Sequence, residues 1–143
     1  MATKKGKNLR GFSADLKKFA KKVDLDLGTV VQKVAMDVLT GVVMRTPVAT
    51  GRARGSWLVG VNKIPEGEGL PEGTQLSRSA ATSESLKQGN QISKVNGKST
   101  VYIINPLPYA KPLEDGSSEQ APNGMVKVTL QVVSASIKRG IKS

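Results

Sequence analysis

Residues 27–62 read LGTVVQKVAMDVLTGVVMRTPVATGRARGSWLVGVN, and the fold turns on how they divide. Leu27, Val30, Val31, Val34, Ala35, Val38, Leu39, Val42 and Val43 recur at three- and four-residue steps, the period of an amphipathic helix. The helix starts after Asp24 or Asp26 and runs for roughly five turns. Lys33, Asp37 and Thr40 occupy its other side. Valine is a poor helix former, so packing must hold the element together. Pro47 disfavours helical geometry at Thr46, and Gly51 marks a turn. Beyond it Trp57, Val59 and Val61 alternate with Ser56, Leu58 and Gly60, as in a strand.

The flanking sequence extends this pattern. Ser13 can cap a shorter N-terminal helix over SADLKKFAKKV, with Leu16, Phe19, Ala20 and Val23 on one face. Residues 62–92 form a long, polar, variable loop, inside which SRSAATSESLKQG can be helical with Ser79 or Thr82 as cap. QISKV, NGK and STVYIIN read as a hairpin or as a strand and a turn. Residues 125–137 alternate like a strand, yet Met125, Val126, Thr129, Leu130, Val133 and Ile137 also line a helical face. The helix is the preferred reading, with Pro122 suited to its start. The expected fold is α+β: a small mixed or antiparallel sheet on a long amphipathic helix, with shorter N-terminal and C-terminal helices. A basic flexible arm over 1–12 precedes a single domain over 13–143.

Composition narrows the function. Hydrophobic residues make up 38% of the 143 and aromatics 3%, against a usual apolar share of about 45–50%. So thin a core suits a subunit that completes its burial in an oligomer. Net charge is +11. Lys4, Lys5, Lys7, Arg10, Lys17, Lys18, Lys21 and Lys22 oppose a single acid, Asp15, in residues 1–22. Such an end suits nucleic acid or another acidic partner, and it also reads as a solvated terminus. There is no Cys and no His, so the commonest metal ligands and the commonest general base are missing. No cofactor motif occurs, and the glutamates of EGEGLPEG would repel a phosphate. No uninterrupted apolar run reaches the ~18 residues of a membrane span. Glu114 and Asp115 are adjacent and diverge, unlike the facing pair of a glycosidase. No enzyme is expected.

Residues 105–125, NPLPYAKPLEDGSSEQAPNGM, form a second punctuated segment. Pro106, Pro108 and Pro112 fix backbone angles and remove donors. Tyr109, Ala110 and Leu113 can form one helical turn that ends at Glu114. A carboxylate there is disfavoured by the backbone dipole, so a basic partner is expected, within the fold or on a neighbouring subunit, with Arg52 and Arg54 as candidates that also read as solvated loop charges.

Together, TPVATGRARGSW at 46–57 and the 105–125 segment resemble the tail completion or head–tail joining proteins of tailed bacteriophages, including those similar to lambda minor tail protein Z. The matching positions include Thr46, Pro47, Gly51, Arg52, Arg54, Trp57, Asn105, Tyr109, Glu114, Gln120, Pro122 and Met125, and the resemblance covers about residues 27–133. Ala49 stands where the pattern usually has an acid, and Asp115 where an aromatic is common. The resemblance implies a non-catalytic α/β subunit that assembles as a ring, a hexamer, at the tail end of the virion neck. Its partners would be copies of itself, neighbouring neck and tail-tube proteins and, transiently, DNA in the lumen. Arg52, Arg54, Trp57, Asn105, Tyr109, Glu114, Gln120 and Pro122 are the expected interface or structural-motif residues. The basic residues from Lys4 to Lys22 are the candidate nucleic-acid or acidic-partner contacts. The expected location is the virion, with assembly in the host cytoplasm and no membrane. A basic, sequence-independent nucleic-acid-binding protein is the alternative.

Overall fold

A computed structural model describes residues 2–142, with side chains from Gly11 onward. In chain order come α1 (Ala2–Val23), α2 (Leu27–Arg45), a 3-10 turn (Arg54–Ser56), β1 (Leu58–Val61) and α3 (Arg78–Leu86). A 3-10 segment (Lys87–Lys94), β2 (Val101–Ile104), α4 (Ala110–Glu114) and α5 (Val126–Lys142) follow. The fold is α+β, with five helices and one two-stranded sheet among the described residues.

The long helix lies at the centre. Asp26 caps it, its carboxylate accepting from Gly28 N at 2.9 Å. One α2 stretch packs Val30 and Val34 against Ala20 of α1 and Val133 and Ile137 of α5, with Phe19 alongside. The later stretch packs Leu39, Val42 and Val43 against Trp57, Val59, Ile92, Val95 and Met125. Two small cores thus share one helix, which explains how valines of low propensity stay helical. By length and composition α2 is apolar enough to cross a membrane, despite Lys33 and Asp37. Here its apolar positions form the cores.

β1 and β2 pair antiparallel, Val59 opposite Ile103 and Val61 opposite Val101. A two-stranded sheet is marginal alone; Val59 seals it onto the core of α2. Helix α1 closes with a left-handed Asp24 (φ 57°). Leu25 N bonds to Ala20 O at 3.0 Å, a Schellman-type stop with aspartate where glycine is usual.

Several expectations change. Ser13 lies within α1, whose backbone is helical from Ala2. No proline interrupts that stretch, and its two glycines weaken a helix without ending it. The expected arm over 1–12 otherwise falls largely outside the described side chains. The long loop shortens to 62–77, because α3 and the 3-10 segment occupy the rest. The α3 cap is Ser77, not Ser79 or Thr82: Ser77 Oγ accepts from Ala80 N at 3.1 Å. QISKV does not pair with β2; it is mainly 3-10 and turns Ile92 and Val95 into the core. Residues 126–142 are helical, burying Thr129, Val133 and Ile137 at four-residue steps. Pro122 lies in the turn before that helix, not at its first position.

Candidate functional site

The two punctuated segments meet beside the C-terminal end of α2. The last turn of a helix leaves carbonyls without partners. Here Arg54 supplies them. Its Nε donates to Thr46 O at 3.1 Å and its Nη2 to Met44 O at 3.0 Å. Thr82 Oγ1 accepts from Nη1 at 3.4 Å. A cation at this end also suits the helix dipole. Thr46 Oγ1 donates to Val42 O and accepts from Trp57 Nε1 at 2.8 Å. Ser85 of α3 donates to Arg54 O and accepts from Trp57 N. This lattice holds α2, α3 and the start of β1 in one arrangement.

The second segment docks onto the first. Gln120 uses both ends of its amide on Val48, accepting from N at 3.0 Å and donating to O at 3.3 Å, like one rung of a sheet. Asn105 Nδ2 donates to Ala53 O at 2.8 Å. The Arg52 guanidinium stands 5.7 Å from the Tyr109 ring centroid, within cation–π range. Its Nε donates to Leu70 O.

Glu114 does not meet either arginine. Its carboxylate accepts from Met125 N, Val126 N and Lys127 N at 2.9, 2.8 and 3.0 Å. It caps the N-terminus of α5, where the dipole favours an anion. The unfavourable end of the five-residue α4 is outweighed by the favourable start of a 17-residue helix. Gly124 (φ 86°) makes the approach possible, because a Cβ there would strike the Glu114 carbonyl and carboxylate. Asp115 pairs with exposed Lys111 at 3.0 Å.

The expected site residues therefore divide by exposure. Arg54 and Trp57 are buried; Arg52, Asn105 and Glu114 are half-buried; Tyr109, Gln120 and Pro122 reach the surface. Lys17, Lys18, Lys21 and Lys22 are exposed on α1. The side chains of Lys4, Lys5, Lys7 and Arg10 lie outside the described residues.

Beside this junction lies a concave pocket of about 540 Å³. Arg45, Arg54 and Arg78 line it with Met44, Gln120 and Asn123, and no carboxylate does. Arg54 is 8% exposed and forms no ion pair among the described residues. Burial, and then repulsion from Arg78, lowers its pKa from the ordinary guanidinium value. An apolar groove of about 410 Å³ adjoins the pocket between α2 and α5, where Met44 and Val132 are exposed. The two concavities share Met44 and Arg45. Sequence reading did not single out Arg45 or Arg78. They join Arg54 from separate segments, and no spacing signals that.

A family model described as "Bacteriophage HK97-gp10, putative tail-component" matches residues 10–116. The chain belongs to this HK97-gp10-like family. The match takes in the first segment whole and the second as far as Gly116. The HK97-gp10-like family is one of phage tail components, so the coarse function is that of a structural tail protein and the location is the virion. No curated protein and no solved structure matches the chain.

Proposed function

We propose that this protein is a structural subunit of the phage neck, which completes or caps the tail and joins it to the head as part of a ring. Membership in a tail-component family carries the reading. The order of the two segments, which resembles that of tail completion proteins similar to lambda minor tail protein Z, supports the neck as the place. The work of such a subunit is contact rather than catalysis, and its partners are further copies, neighbouring neck proteins and the tail tube. The thin core fits this role, since a ring interface buries surface that the isolated chain leaves open. Imaging of the protein alone and with purified tails tests the proposal. Rings, or added density at one tail end, are expected. Failure to form rings or to bind any tail end would overturn it.

Contact with DNA in the lumen is a second reading, favoured by one feature. Helix α1 packs on α5, with Phe19 against Gly140. This gathers Lys17, Lys18, Lys21 and Lys22 with Lys138, Arg139 and Lys142 on one helix pair. Binding to random duplex DNA should fall steeply with salt. Replacing Lys17, Lys18, Lys21 and Lys22 by Gln should flatten that dependence; an unchanged slope would exclude these residues.

A further inference from the structure

The arginine pocket is a receptor without an internal occupant. Three guanidinium groups converge on it, one of them buried, and the fold supplies no counter-ion. The matching feature lies on the loop after β1. Glu66, Glu68 and Glu72 are exposed there, and none has a hydrogen-bond or ion-pair partner among the described residues. Just before them Ile64 is 61% exposed, more than any other large hydrophobic among the described residues.

This loop is held at its base. Leu70 N donates to Ser56 Oγ at 2.9 Å, Arg52 Nε donates to Leu70 O, and Leu76 N donates to Thr50 O at 2.7 Å. Pro65 and Pro71 restrict it further. A segment ordered in advance loses less entropy on docking.

We infer that the 64–68 loop of one subunit seats in the arginine pocket of the next, with Ile64 over the Met44–Val132 groove and Glu66 and Glu68 against Arg45 and Arg78. The inference rests on the ring reading above and names its contact. The dimensions agree: Ile64 and Glu66 are separated by about 7 Å in extended chain, and the apolar groove and the cationic pocket are contiguous. Charge complementarity selects a second copy as the occupant. A chain of net charge +11 repels its own kind unless its few unpaired acids meet its unpaired cations. Loop and pocket are different surfaces, so the contact is head-to-tail and can close as a ring. A duplex fits less well, because the cations line a concavity rather than an open face.

The test uses the full chain in three forms: wild type, a loop variant (Glu66→Lys with Glu68→Lys) and a pocket variant (Arg78→Glu). These positions are exposed. Arg78 opens α3, where a glutamate suits the helix dipole, so each variant should keep its melting temperature. Sedimentation velocity, alone and with tails, reads assembly. Each variant alone should associate at least tenfold more weakly than wild type. An equimolar mixture should recover association, because the intact pocket of one variant meets the intact loop of the other. If wild type assembles and both variants assemble equally well, the loop-in-pocket contact is wrong and the ring reading survives. If wild type assembles neither alone nor on tails, both fall. If Arg78→Glu weakens binding to duplex DNA without changing assembly, the pocket belongs to DNA and the inference is overturned.

Discussion

Glu114→Ala is the most discriminating single substitution. The carboxylate receives three backbone N–H groups at the start of α5, at 2.8 to 3.0 Å. Loss of a side-chain N-cap costs about 0.5–2 kcal/mol, and hydrogen bonds to charged groups contribute about 1.5–3 kcal/mol each in favourable settings. Glu114 is only half-buried, and water replaces it at Lys127, which is exposed. A loss of about 2–3 kcal/mol is therefore expected. An unfolding entropy of about 2.1 cal/mol/K per residue, over 143 residues, gives about 0.3 kcal/mol per degree. The melting temperature of the isolated subunit should fall by roughly 7–10 °C, read by circular dichroism. Glu114→Gln keeps an acceptor but not the charge, and about half that loss is expected. A Glu114→Ala protein melting within about 2 °C of wild type would refute the capping argument. A purely intersubunit role for Glu114 would then be the better account.

Three further substitutions probe other parts of the fold. Trp57→Phe removes the 2.8 Å donor to Thr46 Oγ1 and leaves space in the core; a loss of about 2–3 kcal/mol is expected in urea unfolding followed by circular dichroism. Asp24→Gly relieves a left-handed aspartate and should raise stability by about 0.5 kcal/mol, visible as a small rise in the melting temperature. Gly41→Ala improves helix propensity, but its Cβ would lie 2.5 Å from buried Thr129 Cγ2, so a net loss of about 1–3 kcal/mol is expected. Combining it with Thr129→Ser should recover part of that loss; no recovery would place the strain elsewhere.

Much of the architecture was legible because local signals agreed. The valine periodicity of α2, its Asp26 cap and the stop at Pro47 all indicate one helix, and β1 alternates as a half-buried strand does. Residues 62–92 were harder for a physical reason. Ser77, Ser79 and Thr82 are all adequate caps, and only tertiary contacts choose among them. Ser85 is buried because Trp57 N and Arg54 O need partners, a demand that arises only after folding. The 3-10 segment has no apolar period to read. Glu114 caps the start of α5 rather than meeting an arginine, because two helix ends compete for it and the end of α4 is the weaker. The dipole at the end of α4 is real but short, and the stronger dipole of α5 was hidden while residues 125–137 could be strand or helix. The arginine pocket was invisible for a different reason. Arg45, Arg54 and Arg78 come from three segments, and only the packing of α2 against α3 brings them together.

The Glu114 cap also couples two regions that would otherwise open separately. The amides of Met125 and of the first two α5 residues, Val126 and Lys127, depend on a carboxylate eleven to thirteen residues earlier in the chain. Release of the 105–115 segment frays the helix start, and fraying of the helix start frees Glu114 and loosens that segment in turn. Met125, Val126 and Lys127 should therefore exchange their amide hydrogens together, at a rate set by the opening of the segment that carries Tyr109. A contact that clamps Tyr109 from outside would slow exchange at these three amides, so they report on that surface from within the subunit.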